Sequence, residues 1–187
     1  MNQIGKLQQV ENEFMKYNLD ILALSEGRCK WIGKEISDQC NIHIYSGRTD
    51  EIGREGVGII MTSRAEKALT EWRAVNNRLL LVKFKSKQCN VSIIVCYAPT
   101  NDAPEKMKDE YYEDLQSVTD KIPVRYMKIV IGDFNAKVGK INQGIEYVMG
   151  IEGLVEVANE KWGPFYKFLF RKESCYCGHS FSAQGHP

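Results

Sequence analysis

The stretch from Lys128 to Ala136, with the sequence KIVIGDFNA, decides how the rest of this chain is interpreted. The β-branched apolar run from Ile129 to Ile131 is typical of a strand that is buried on both faces of a sheet. A glycine follows this run, and after it come the carboxylate of Asp133 and the carboxamide of Asn135. Because side chains of an extended segment alternate between faces, we expect these two to point the same way and Phe134 to point toward the core. The stretch therefore predicts a buried strand whose polar end can hold a water molecule and a phosphate.

Gly, Asp and Asn after a strand also fit an ordinary polar turn without a function. The functional interpretation gains support because two further apolar segments end in polar side chains. The apolar run from Leu19 to Leu24 is followed by Glu26, and the run from Val91 to Pro99 contains Tyr97 near its end. In α/β sheets the ends of neighbouring strands meet at one edge, where ligand sites commonly lie. We therefore expect Glu26, Tyr97 and Asp133 to converge around a cation.

Length and composition indicate one globular domain. The chain has 187 residues, of which 43% are hydrophobic and 26% charged, and no apolar run approaches the roughly 20 residues that cross a bilayer. A formal net charge of +1 excludes a strong overall attraction to nucleic acid and leaves local patches open. The N-terminus shows no secretory signal, so we expect an intracellular protein whose six cysteines are free thiols. No compact Lys/Arg cluster marks a nuclear address, and the compartment and the oligomeric state stay open.

Periodicity predicts the elements around these strand ends. Apolar residues at helical spacing between Leu7 and Tyr17 predict an amphipathic helix packed on a sheet. The strands from Leu79 to Phe84 and from Val91 to Tyr97 flank a polar connector, which predicts an antiparallel hairpin. A second helix is expected to begin near Pro104, capped by Asn101 or Asp102, and to end before Pro123. It returns the chain to the sheet just before Asp133.

The loop around Trp31 allows two interpretations. Its basic residues and its indole ring can lie along a nucleic acid, with cations on phosphates and the ring against a base. Alternatively the loop is solvated and Trp31 packs on the core, which is the interpretation we favour. His43 lies in an alternating segment and is predicted to be a residue on a strand face.

The C-terminal tail carries side chains of the type that bind zinc. A Cys-x-Cys pair is tight, however, and the second pair that zinc sites usually provide is absent, so we do not predict a zinc site here. The residues concerned are Cys175, Cys177, His179 and His186.

Several of these segments together resemble the endonuclease/exonuclease/phosphatase superfamily. The resemblance runs from Asp20 to Phe168, is strongest at the Gly-Asp-Phe-Asn element that begins at Gly132, and also covers the segments that end in Glu26 and Tyr97. Within the superfamily the chain looks like the endonuclease domains of non-LTR retrotransposons, a group that includes craniofacial development protein 2-like proteins. This resemblance implies a four-layered α/β sandwich with mixed sheets, which we expect to span residues 1–187 as a single domain.

The resemblance also implies a site and an activity. Glu26 would hold Mg²⁺ or Mn²⁺, and Asp133 would orient or deprotonate the attacking water. Asn135 and Tyr97 would bind the phosphate oxygens, and Lys137 would contact the substrate. The partner would be DNA, cut by a metal-assisted phosphodiesterase.

Two parts of the family pattern have no counterpart in the sequence. These are the family's first strand, which carries an Asn of the metal site, and its late Asp and terminal Ser-Asp-His motif. The resemblance therefore implies an incomplete domain, and both an active and an inactive enzyme are open at this point. A non-catalytic remnant that acts as an interaction module, and a phosphatase for a small phosphoester, remain as alternatives.

Overall fold

The computed structural model describes residues 4–27, 30–48, 55–135 and Phe168. By its internal contacts the chain divides into residues 1–135 and 136–187, and the elements below lie in the first unit. No helix in the described ranges is long and apolar enough to cross a bilayer. The helices are α1 (Ile4–Lys16), α2 (Ser63–Glu66) and α3 (Glu105–Asp120). The strands are β1 (Ile21–Leu24), β2 (Ile32–Ile36), β3 (Ile42–Ser46), β4 (Val57–Met61), β5 (Leu69–Asn76), β6 (Leu79–Phe84), β7 (Val91–Tyr97) and β8 (Met127–Asp133).

The strands form two four-stranded sheets. The first has the order β1-β4-β3-β2 and is antiparallel throughout. The second has the order β5-β6-β7-β8, with antiparallel pairs except for the parallel pair β7-β8. The predicted hairpin of β6 with β7 is confirmed, and the mixed pairing is found in the second sheet.

The two sheets pack face to face, and each carries a helix on its other face. Alternation along the strands places every second apolar side chain in this shared core, since a strand shows its two faces in turn. α1 contacts the first sheet through polar bonds to β3, and α3 lies against β7 of the second. The predicted four-layered α/β architecture is confirmed. The core between the sheets contains Ile42, Ile44, Val57, Ile59, Met61, Leu80, Val82, Phe84, Ile93, Val95 and Tyr97.

A buried polar cluster joins α1 to the first sheet. Glu11 and His43 are 5% and 4% exposed, and the imidazole Nε2 lies 2.9 Å from Glu11 Oε1. Asn41 Nδ2 donates to the same oxygen at 3.3 Å. Burial acts to raise the pKa of Glu11, but the hydrogen bonds from Ser37, His43 and Asn41 outweigh it and hold the pKa below its ordinary value. His43 thus lies on a strand face, as predicted, and anchors a helix there.

Replacing Glu11 by glutamine is expected to lower the free energy of unfolding by about 1–3 kcal/mol at pH 7, because the carboxylate stabilises buried donors. A group whose pKa is lower in the folded state stabilises above its unfolded pKa and loses this effect as pH falls through the folded pKa. The difference between wild type and variant should therefore shrink below the ordinary pKa of 4.5. Urea unfolding at pH 7 and at low pH measures it. Glu13→Gln, on the exposed side of the same helix, should show little effect at either pH.

α3 begins differently from the prediction. Pro104 occupies the N-cap position without a side-chain cap bond, so neither Asn101 nor Asp102 caps the helix. The preceding residues form a turn closed by a hydrogen bond from Ala103 N–H to the Thr100 carbonyl at 3.1 Å. Proline suits this position because its missing N–H would be unpaired there in any case. The apolar side of α3 includes Tyr111, Leu115 and Val118.

β8 is less buried than its sequence predicts. Ile129 and Ile131 are 38% and 44% exposed, so the prediction of a strand buried on both faces is wrong. β8 is the last strand in the order of the second sheet, and no strand among the described ranges pairs with its outer edge. A strand at the edge of a sheet has a neighbouring strand on one side only. Its side chains are therefore less covered than those of a central strand, whatever its composition.

Candidate active site

The parallel pairing of β7 with β8 builds the centre of the site. Because α3 connects these strands, both run in the same direction and end at the same edge of the second sheet. The register places Tyr97 beside Asp133, and the Ala98 N–H donates to the Asp133 carbonyl at 2.8 Å. Tyr97 faces the core between the sheets and is 7% exposed. The topology therefore brings together two side chains that are distant in sequence.

A turn, and not strand alternation, places Asn135 next to Asp133. β8 ends at Asp133, and the Asn135 N–H donates to Asp133 Oδ1 at 2.7 Å. Asn135 has a φ of 49°, a left-handed conformation that asparagine tolerates. Its Nδ2 donates to the Ala98 carbonyl at 2.8 Å. The expected proximity is present, although its cause is an Asx turn that also holds the Asp133 carboxylate in one orientation.

Glu26 reaches the site from the first sheet. It lies two residues beyond the end of β1 and has a φ of 55°, which is uncommon for a residue with a side chain. The Gly27 N–H donates to the Gly56 carbonyl at 3.0 Å, which ties this loop to the start of β4. The surrounding structure thus holds the Glu26 backbone in an unfavourable conformation, as is often seen at functional sites.

The pKa of Tyr97 is influenced by charged side chains from both sheets. Burial raises the pKa of its hydroxyl, the nearby Glu26 carboxylate raises it further, and Asp133 adds a smaller effect in the same direction. The Arg78 charge acts the opposite way. The phenol is therefore protonated at neutral pH and can donate a hydrogen bond. The structure brings Glu26, Tyr97 and Asp133 together, and their roles in catalysis stay predictions.

The sequence analysis missed Arg78 and Glu55. The Arg78 guanidinium lies 5.1 Å from the centre of the Tyr97 ring, and its Nη1 donates to the Tyr97 carbonyl at 3.2 Å. Glu55 accepts hydrogen bonds from Arg78 and Asn77. The predicted hairpin could have indicated Arg78. In the hairpin Leu79 pairs with Cys96, which places Arg78 opposite Tyr97. Arg78 therefore contacts both the ring and the backbone of Tyr97 and helps to fix its position.

Replacing Arg78 by methionine is expected to lower the free energy of unfolding by about 3 kcal/mol, because Glu55 would keep a charge without its main partner. Both side chains are largely buried, at 13% and 15% exposed. Denaturant unfolding measures the effect. Lys106→Met is the matched control, because it breaks an exposed ion pair with Glu110 and should cost at most about 0.5 kcal/mol. Equal effects of the two variants would contradict a structural role for Arg78.

The donor atoms at the site suit a hard divalent cation. Glu26, Asp133 and Asn135 offer carboxylate and carboxamide oxygens, which Mg²⁺ and Mn²⁺ prefer over nitrogen or sulfur. Within the described ranges no group of three or more His, Cys, Asp or Glu residues could hold a metal ion. Mg²⁺ often binds through one or two carboxylates and keeps several waters, so the residues present fit such an ion in kind.

Other predicted residues lie elsewhere. Lys137 and the Cys/His tail that includes Cys175 fall outside the described residues. Trp31 is 61% exposed, so the prediction that it packs on the core is wrong. Its backbone has a left-handed conformation with a φ of 75°.

Two stacked sheets, each carrying a helix, and a cluster of Glu, Tyr, Asp and Asn at the ends of β1, β7 and β8 define a class of protein. The chain has the fold of solved proteins of the endonuclease/exonuclease/phosphatase family, such as one from Leptotrichia buccalis, with a TM-score of 0.50, 16% identity, and coverage of 80% of this chain and 66% of that chain. It matches no protein-family model.

In sequence the chain is similar to craniofacial development protein 2 of Bos taurus. The two are 36% identical over 150 residues, which cover 80% of this chain and 25% of the relative, so the chain spans about a quarter of the length of the curated relatives it matches. Among solved structures it is similar to an AP endonuclease from Leishmania major, with a TM-score of 0.57, 11% identity, and coverage of 88% of this chain and 61% of that chain. The endonuclease domain of TRAS1, a telomere-specific non-LTR retrotransposon, gives a TM-score of 0.54, 14% identity, and coverage of 86% and 64%. These structural similarities establish the fold.

Proposed function

We propose that this chain is a Mg²⁺-dependent phosphodiesterase domain that cuts DNA and descends from a retrotransposon endonuclease. The observation that carries the proposal is the convergence of Glu26 and Asp133 on Tyr97, across two sheets. The similarity to craniofacial development protein 2 and the fold shared with the TRAS1 endonuclease domain support it. The near-neutral net charge of +1 indicates that DNA would be held by local contacts.

The proposed reaction is an in-line attack of water on a phosphodiester. Asp133, held by the Asx turn, accepts a proton from the water as its oxygen bonds to phosphorus, and the bond to the leaving oxygen breaks. Tyr97 and Asn135 donate hydrogen bonds to the phosphate oxygens as negative charge grows on them. The leaving oxygen takes a proton from solvent, and the products are a phosphomonoester and a hydroxyl. Glu26 would hold the Mg²⁺ ion, which would supply neutralisation of the developing negative charge.

The test is nicking of supercoiled plasmid by the purified chain in Mg²⁺, with EDTA as the control. We expect slow nicking that requires the metal, because Glu26 with few other ligands binds Mg²⁺ weakly. The absence of nicking at any Mg²⁺ concentration would contradict the nuclease proposal. Hydrolysis of a small phosphoester without nicking would indicate a phosphatase instead.

Replacing Glu26 by glutamine is expected to raise the Mg²⁺ concentration for half-maximal nicking by about tenfold or more, since a neutral amide is a poorer ligand than a carboxylate. Titrating Mg²⁺ for both proteins measures the change. Glu110→Gln, which alters an exposed carboxylate on α3, is the control and should leave this concentration unchanged. An unchanged titration for Glu26→Gln would remove Glu26 from the metal site.

An interaction module without catalytic activity is the second candidate. The observation that favours it is that the described residues offer no cluster of three or more metal-ligating side chains. In that case the chain would bind DNA equally well in Mg²⁺ and in EDTA without cutting it. The plasmid assay and a binding assay together separate the two candidates.

A further inference from the structure

The outer face of the first sheet, beside the candidate active site, contains a cavity of about 270 Å³. It lies between this sheet, α1 and the segment around Trp31. Leu7 of α1 lines one side, and Lys30 and Trp31 line another. The volume is slightly below the roughly 300–1,000 Å³ of most small-molecule sites. It therefore suits a single aromatic ring system better than an extended ligand.

Gly58 lines this cavity, and Gly33 makes room for the Tyr45 side chain beside it. A row of paired residues crosses the sheet, in which Leu24 pairs with Gly58, Gly58 with Tyr45, and Tyr45 with Gly33. A Cβ at position 33 would lie 2.7 Å from the Tyr45 hydroxyl oxygen, so the Tyr45 side chain extends over that glycine. Gly58 leaves the floor open between Leu24 and Tyr45. The cavity therefore exists because a glycine lies between larger side chains on this face of the sheet. α1 packs on the rest of the face.

Trp31 is held at the rim of the cavity with its ring exposed. Its φ of 75° is rare for a bulky residue. Two hydrogen bonds keep this conformation, from the Trp31 N–H to the Arg48 carbonyl at 3.1 Å and from the Gly47 N–H to the Trp31 carbonyl at 2.9 Å. Strained backbone conformations are often found at functional sites, and here one carries an indole that is 61% exposed. The ring offers a flat surface for stacking.

The position and charge of the cavity indicate its ligand. Leu24 lines the cavity, and Glu26 lies two residues further along the chain, so the cavity and the candidate active site share one edge of the sheet. Among the described residues, the cavity lining contains one cation and one carboxylate, Lys30 and Glu35. Lys30, which directly precedes Trp31 in the chain, is the group that can contact a phosphate next to the stacked ring. A nucleotide carries a flat ring joined through a sugar to a phosphate, and aromatic side chains stack on unpaired bases regardless of sequence.

We propose that this cavity receives one unpaired base of a DNA strand, which stacks on Trp31 while Lys30 contacts the adjoining phosphate. The base-binding proposal rests on the proposed function, because it takes DNA as the substrate. It implies that the preferred substrate is DNA with an unpaired or displaced base. Glu26, Tyr97 and Asp133 would then act on a neighbouring phosphodiester.

The test measures binding in EDTA, so that it does not depend on cleavage. A fluorescein-labelled single-stranded oligothymidylate and an abasic strand of equal length are titrated with protein and followed by anisotropy. Trp31→Ala should weaken binding of the oligothymidylate by about tenfold or more and leave the abasic strand unaffected. Trp31→Phe should restore most of the affinity, because a phenyl ring still stacks. Ile36→Ala, at the far end of the same strand and 69% exposed, is the matched control and should bind as the wild type does.

Equal affinity of wild type and Trp31→Ala for the oligothymidylate would overturn the proposal, as would an equal loss on both strands or no binding by the wild type. The plasmid assay separates this proposal from the proposed function. Nicking with binding that is insensitive to Trp31→Ala would reject only the base-binding cavity. Binding that depends on Trp31 without any nicking would reject only the nuclease.

Discussion

Replacement of Asp133 by asparagine is expected to reduce Mg²⁺-dependent plasmid nicking by at least about a hundredfold. Removing a group that takes the proton of an attacking water typically costs 10²–10⁴ in rate. Asparagine is nearly isosteric, and its Oδ1 can still accept the hydrogen bond from the Asn135 N–H that closes the turn. The substitution therefore removes the charge and the basicity and leaves the turn intact. Initial rates of conversion from supercoiled to open-circular plasmid measure the effect.

The matched control for this experiment is Asp38→Asn. Asp38 is exposed and follows β2 in the turn that leads to β3, at the end of the first sheet away from Glu26. Its nicking rate should equal that of the wild type, and the melting temperatures of all three proteins should agree within a few degrees. Nicking by Asp133→Asn at more than a tenth of the wild-type rate would show that the activity comes from another site or from a contaminant.

Replacement of Gly132 by alanine is expected to be the most destabilising single change in the described part of β8. Gly132 has a φ of 146°, and a Cβ there would lie 1.8 Å from the Cys96 carbonyl oxygen. The methyl group would force β8 away from β7 and impose an unfavourable backbone conformation. We expect a loss of about 3–5 kcal/mol in the free energy of unfolding. For a chain of this size this corresponds to a drop of roughly 10 °C in melting temperature.

Gly5→Ala is the control for the glycine substitution. Gly5 lies in α1 with nothing within 4 Å of a built Cβ, and alanine favours helix over glycine by about 0.5–1 kcal/mol. This variant should be as stable as the wild type or slightly more stable. Circular dichroism melting curves compare the two. A melting temperature of Gly132→Ala within about 2 °C of wild type would mean that β7 and β8 do not pair as described.

The elements that recur with a clear period were predictable from the sequence. α1, α3 and the β6–β7 hairpin follow from the spacing of Leu7, Phe14 and Leu115 and of alternating apolar residues in the strands. The convergence of strand ends was also predictable, because Tyr97 and Asp133 each follow an apolar run and an intervening helix makes the runs parallel.

Other features required the packed structure. The exposure of Ile131 follows from the position of β8 as the last strand in the order of the second sheet. The composition of a strand does not reveal this position. The stacking surface of Trp31 depends on a left-handed backbone set by bonds to Gly47 and Arg48. The partnership of Arg78 with Glu55 joins two loops that have no recognisable motif.

The amino-acid sequence alone thus determined the class of fold and the residues that end its strands, because hydrophobic periodicity and short polar motifs are local properties of the chain. The tertiary structure alone decided how those residues are held: the Asx turn at Asn135, the contact of Arg78 with the Tyr97 ring, and the cavity over Gly58. These features arise between segments that are distant in sequence, and their geometry is set only when the two sheets and α1 pack together.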